Sequence, residues 1–187
     1  SFPVIFISIA LVMGFGMAGN ILIAQYFGAG RRDKVRAAID TTMFVMNWFA
    51  LGVTVFGILL APAILRLMGT PADVIAPATL YLRIIFAGSI VSFGYNALSA
   101  ILRGRGDSRT PLYALIISTV VNIVLDSVFV IVFKWGVAGV GIATVIAQTV
   151  AYVWTIRYLN KRNPEYRVHF RSLKFDREIF RETFRIG

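Results

Sequence analysis

In the stretch STVVNIVLDSVFVIVF, residues 118–133, three polar side chains recur at every fourth position: Ser118, Asn122 and Asp126. That spacing sets them on nearly one face of a helix. The rest of the stretch suits hydrocarbon, where a carboxylate is costly and by default marks a functional site. Two more polar stripes run through apolar segments. One comprises Tyr81, Gly88, Ser92, Tyr95 and Ser99, with Asn96 beside it; the other comprises Gly141, Thr144, Gln148, Tyr152 and Thr155. Lipid offers no hydrogen bonds, so such stripes must face protein or water. For the hydroxyl groups the ordinary use is to join helices through modest hydrogen bonds. For Asp126 the cost of burial favours a charge that is used.

Other chemistries find no support. The tripeptide RGD at 105–107 lies in a loop that the charge pattern assigns to the cytoplasm, where an adhesion motif has no role. GVAGVG at 136–141 opens an apolar helix with no following Lys, so it fails the context of a phosphate loop. His169 is the only histidine, cysteine is absent, and neither HExxH nor GxSxG occurs. No hydrolytic triad or thiolate metal site can be built from these residues, and neither an enzyme nor a cofactor is expected.

The elements that must position the stripes follow from composition. Of 187 residues 58% are hydrophobic and 15% charged, too apolar a balance for a soluble domain of this size. The fold class expected is all-α, a polytopic transmembrane helix bundle. Five segments are long enough to cross a bilayer at roughly 20 residues per span: about 2–27, 37–60, 77–101, 111–133 and 136–159. Pro111 fits the first helical position after a Thr110 cap, and Pro3 fits the same place in the first helix. Gly139, Ala143, Ala147 and Ala151 recur every fourth residue on the last span, a spacing that allows close helix approach.

The net charge of +10 resides between and after the apolar runs, where lipid headgroups and orientation explain it, so no nucleic-acid partner is expected. Arg31, Arg32, Lys34 and Arg36 fill one loop, and Arg103, Arg105 and Arg109 another. The alternate loops hold little more than Arg66 with Asp73, and Lys134. Positive loops face the cytoplasm, so the first helix runs inward and the tail is cytoplasmic. Counted from the outer ends, Asp126 lies roughly 10 Å, Thr144 roughly 12 Å and Tyr81 roughly 6 Å deep, so the three can share one level. Residues 1–159 form the membrane domain and 160–187 a basic cytoplasmic linker. Within the linker Asp176 can cap a short amphipathic helix and Phe175 can staple against Phe180. Its stripe of Phe175, Ile179, Phe180 and Phe184, flanked by Arg177, Arg181 and Arg185, suits the inner leaflet. The opening SFPVIF has neither a basic leader nor a cleavage site, and the chain reads as an internal piece of a longer polytopic protein.

The sequence resembles the multidrug and toxic compound extrusion family of transporters over essentially its whole length. The resemblance rests on AQYFGAGR at 24–31, ILRGRGDSRTPLY at 101–113, NIVLD at 122–126 and GVAGVGIATVIAQ at 136–148. It implies the second to sixth helices of the N-terminal lobe of a twelve-helix transporter, in a prokaryotic cell membrane. Its implied activity is export of cationic or amphiphilic, drug-like small molecules in exchange for sodium ions or protons, by a protein that is monomeric when full length. The resemblance also implies a cation site, with Tyr81, Asn122, Asp126 and Thr144 at the matching positions and a further Asp on a preceding helix. Asn122 and Thr144 then offer neutral oxygens suited to a sodium ion beside Asp126, and Tyr81 a hydroxyl to hold the carboxylate. The alternatives are a lipid-linked oligosaccharide flippase of the same superfamily or a channel-like protein. A flippase calls for a cavity ringed with Arg, but inside the spans only Arg83 and, near a cytoplasmic end, Arg157 are basic. A channel calls for a filter-like segment or a charged ring, and neither is found.

Overall fold

The computed structural model describes residues 2–162 and 173–186, with the backbone alone at 2–13, 15 and 186. His169 lies outside the described residues. The described chain runs α1 (Phe2–Gly28), α2 (Arg32–Leu67), α3 (Ile75–Ala87), α4 (Ser89–Gly104), α5 (Arg109–Ser127), a π-turn (Val128–Val132), α6 (Gly136–Arg162) and α7 (Arg177–Ile186). No strand occurs among the described residues.

Apolar composition and the absence of water dictate these elements, since a helix satisfies its backbone internally. Among the described residues three helices are long and apolar enough to cross a membrane: Arg32–Leu67, Arg109–Val132 and Gly136–Arg162. The consecutive pair α3 and α4 supplies a fourth crossing if taken as one span, bent by 41°. α1 adds 27 residues, about 40 Å of helix.

Three local expectations are corrected. The segment 77–101 is not one helix but breaks between Ala87 and Ser89. Gly88 is buried there, and a Cβ on it would stand 2.5 Å from Val145 Cγ2, so α6 presses directly on the bend. The Thr54 hydroxyl donates to the Phe86 carbonyl (2.9 Å), satisfying a backbone group at the break. Second, the helix expected to continue through residue 133 turns π at Val128, where the Phe133 N–H donates to the Val128 carbonyl (3.1 Å). The rings of Phe129, Phe133 and Trp135 gather around this turn at centroid distances of 5.1 to 6.1 Å. Third, Thr110 does not cap α5. The helix starts at Arg109 with Ser108 at the cap position, and the Asp107 carboxylate just before it accepts the Thr110 N–H (3.0 Å) and hydroxyl (2.6 Å), which leaves Pro111 in the first turn.

The tightly packed core occupies one end of the bundle. Ile23 of α1, Val35, Ile39 and Met43 of α2, Leu98, Ile101 and Leu102 of α4, and Leu159 of α6 are buried together. All lie near the helix ends that join the basic loops. α1 and α4 approach so closely there that a Cβ on Gly104 would meet the Asn20 carbonyl oxygen at 2.8 Å. At the other end burial thins out, and neither α3 nor the π-turn holds a fully buried residue.

The linker helix is not simply laid on a leaflet. Asp176 Oδ1 accepts the N–H groups of Glu178 (2.9 Å) and Ile179 (3.1 Å), and Phe175 packs on Phe180 with ring centroids 5.4 Å apart. Ile179 is buried in the common core and Thr183 is buried as well, so α7 is seated on α1 and α2. The expected stripe therefore divides, with Ile179 inward and Phe175 and Phe184 exposed.

Candidate cation site

The polar stripes meet each other. α6 lies against α3, α4 and α5, and its stripe is read from several sides. Gly141 receives α3, where a Cβ would come within 3.2 Å of both Tyr81 Cδ2 and Ile84 Cγ2. One turn on, Thr144 Oγ1 accepts from Asn122 Nδ2 (3.4 Å) and donates to the Val140 carbonyl (2.9 Å). Farther along, Gln148 Oε1 accepts from the Ser92 hydroxyl, and Tyr152 lies over Gly94, with its ring within 3 Å of where a Cβ would be. On α4, Tyr95 donates to the Pro111 carbonyl of α5 (2.9 Å). Thr155 bonds its own helix at Ala151 (2.7 Å), and the buried Ser99 hydroxyl has no partner among the described residues. Small residues let the helices close in, and the polar groups between them are largely satisfied across the contact.

Asp126, like Ser99, is not satisfied, and it carries a charge. It is half-buried, one turn beyond Asn122 and at the last turn of α5, directly before the π-turn. Its Oδ1 is shielded from solvent and accepts no hydrogen bond from the described residues. A buried carboxylate oxygen without a donor costs free energy unless a proton or a cation is supplied to it. The π-turn that follows re-aims the succeeding side chains, and such turns recur at functional sites.

The structure brings Asn122 and Thr144 into contact and sets Asp126 one turn from Asn122. Tyr81 reaches the cluster through Gly141, one turn from Thr144. No hydrogen bond joins the Tyr81 hydroxyl to Asp126 among the described residues. No group of three or more His, Cys, Asp or Glu that could hold a metal by acidic or soft ligands occurs among them either. The arrangement is one carboxylate with neutral oxygens, the donor set of a weakly held hard cation.

One acidic residue escaped the sequence reading. Asp40 of α2 is only 8% exposed and lies in a pocket with Asp33, Arg36, Lys174 and Asp176, where α2 meets the start of α7. The Arg36–Asp40 spacing, one helical turn, was the available signal.

Comparison with known proteins places the chain in a family. The MatE family pattern matches residues 1–128. The chain is 36% identical along its whole length to the probable multidrug resistance protein YoeA of Bacillus subtilis (strain 168), covering 42% of that protein. It superposes over its full length on the inward-facing structure of a multidrug resistance MATE family transporter of the MOP superfamily, with TM-score 0.87 and 27% identity, and covers 42% of that chain. The outward-facing structure of such a transporter gives TM-score 0.86 at 27% identity, again over 100% of this chain and 42% of the other. The chain thus spans about two fifths of the length of the relatives it matches. With most of its sequence inside the family pattern and its fold shared throughout, the chain belongs to the MatE family.

Proposed function

We propose that the chain forms the second to sixth helices of the N-terminal lobe of a secondary active efflux transporter. The full-length protein exports cationic or amphiphilic compounds in exchange for sodium ions or protons across a prokaryotic cell membrane. Its relatives' names speak of multidrug resistance, and the chain's fit to both inward- and outward-facing structures supports a lobe that moves as one body between the two states.

The observation that carries the mechanism is the shielded, unpartnered Oδ1 of Asp126 beside the Asn122–Thr144 pair. Asp126 takes the coupling ion as a transported substrate. A proton neutralises the carboxylate directly; a sodium ion uses the same carboxylate with the side-chain oxygens of Asn122 and Thr144. Tyr81, held against Gly141, contributes its hydroxyl once the site closes around the ion. Occupancy by the ion and retention of the drug are then exclusive states of one lobe, so ion entry accompanies drug release.

Asp126→Asn in the full-length transporter tests this reading. The amide keeps the size and removes the exchangeable charge, so insertion and expression stay normal while ion-driven efflux falls to the level of cells lacking the transporter. A carboxylate that merely packs predicts the reverse: the amide relieves a desolvation cost and efflux persists. Wild-type efflux from the variant at normal expression ends the proposal.

A further inference from the structure

At about 100° per residue the side chains of residues 177–185 in α7 divide into four faces. Ile179 and Thr183 form the buried face, turned to α1 and α2. Glu178 and Glu182 form one flank and are held by the bundle: Glu178 lies 3.5 Å from Lys34 Nζ, and Glu182 accepts the Tyr26 hydroxyl. Phe180 and Phe184 form the other flank. From Phe184 the rings continue through Phe180, Phe175 and Phe44 to Trp48, at successive centroid distances of 6.4, 5.4, 5.5 and 6.1 Å. Opposite the buried face stand Arg177, Arg181 and Arg185, all exposed, with Lys174 exposed just before the helix.

The height of α7 follows from α2. Thirty-six residues make a helix of about 54 Å against a hydrocarbon core of about 30 Å, leaving about 12 Å beyond the core at each end when centred. Phe44 stands about 18 Å from the Arg32 end and so lies a few ångströms inside hydrocarbon, while Lys34 lies well outside it. α7 bridges these two levels and therefore lies at headgroup height. Its phenylalanine flank points toward the acyl chains, where Phe184 is 64% and Trp48 61% exposed. Its glutamate flank points toward the cytosol, and the arginine ridge faces sideways along the leaflet.

We infer that this ridge is a docking surface for anionic phospholipids of the cytoplasmic leaflet. The arginines take the headgroup phosphates, and the ladder from Phe184 to Trp48 lies along the first acyl carbons. Charge complementarity selects the occupant: the helix's two glutamates are engaged by the bundle, so three guanidinium groups at four-residue spacing meet the membrane without a countercharge on their own face. The inference needs the cytoplasmic orientation of the basic loops and is independent of the ion site at Asp126.

The test uses the full-length transporter without other cysteines, carrying Phe184→Cys with a fluorophore, in phosphatidylcholine vesicles. Bromine on the acyl chains of either phosphatidylglycerol or phosphatidylcholine reports which lipid neighbours the label. Quenching is expected to show a preference for phosphatidylglycerol of about fivefold or more, the value of one well-placed arginine near an anionic surface. That preference disappears when Arg177, Arg181 and Arg185 become Gln and is retained when they become Lys. Equal quenching by both lipids overturns the inference, as does a preference that survives the Gln variant. Absence of quenching by either lipid overturns it too, and shows the ridge covered by protein.

Discussion

At Asp126 the fold leaves one carboxylate oxygen shielded and without a donor, while neighbouring Asn122 donates to Thr144. The contrast argues for a site with an exchangeable occupant, and Thr144 tests how the load is shared. Thr144→Val preserves shape but removes one oxygen and leaves the Asn122 amide unpaired. The loss of such a group is worth on the order of 1–2 kcal/mol, or about tenfold in affinity. The ion concentration giving half-maximal efflux in proteoliposomes should rise by about that factor while drug binding holds. An unchanged ion requirement removes Thr144 from the site. Asn122 and Asp126 on one face, and Thr144 at a compatible depth, were legible in the sequence because helical periodicity and rise are fixed quantities. That the Asn122 face meets the Thr144 face was not, because rotation about a helix axis is decided by packing partners distant in the chain. Asp40 was overlooked because an acidic residue near a basic loop reads as solvated, whereas Lys174, Phe175 and Asp176, the stretch leading into α7, fold back beside it.

At the scale of elements, the broken pair α3 and α4 shows how an irregular backbone survives in an apolar setting. The Phe86 carbonyl takes the Thr54 hydroxyl, and Arg83 Nε donates to the Ile58 carbonyl (3.3 Å), so two bonds from α3 to α2 hold the approach to the bend. Thr54→Val should therefore lower stability by about 1 kcal/mol. The check is the thermal unfolding midpoint of the full-length protein in detergent. A midpoint equal to wild type means that the carbonyl finds another donor. Helix existence and approximate extent could be read from apolar runs and loop charge. The break at Gly88 and the π-turn at Val128–Val132 could not. Both are responses to a neighbour, Val145 pressing on the glycine and Gly139 admitting Phe129, and VFVIVF carries no local sign of a changed turn.

For the whole molecule the asymmetry of packing is the organising fact. The core gathers at the ends that carry Arg31, Arg32, Arg103 and Arg105, while the stripes with Asp126 lie toward the looser end. Loop charge predicts that the dense end faces the cytoplasm. In intact cells, single cysteines at positions 32 and 105 should resist an impermeant maleimide and react only after permeabilisation. Labelling from outside inverts the assignment and, with it, the level of the proposed ion site. The matching of stripes also bears on how the protein is made. α6 is the least apolar of the three long spans, yet its Gly141, Thr144, Gln148 and Tyr152 find their partners on α3, α4 and α5, all earlier in the chain. When α6 leaves the ribosome, those partners have already been synthesised, so its polar face can be received by protein instead of lipid. Assembly in the order of synthesis thus makes a span insertable that would be poorly suited to enter the bilayer first.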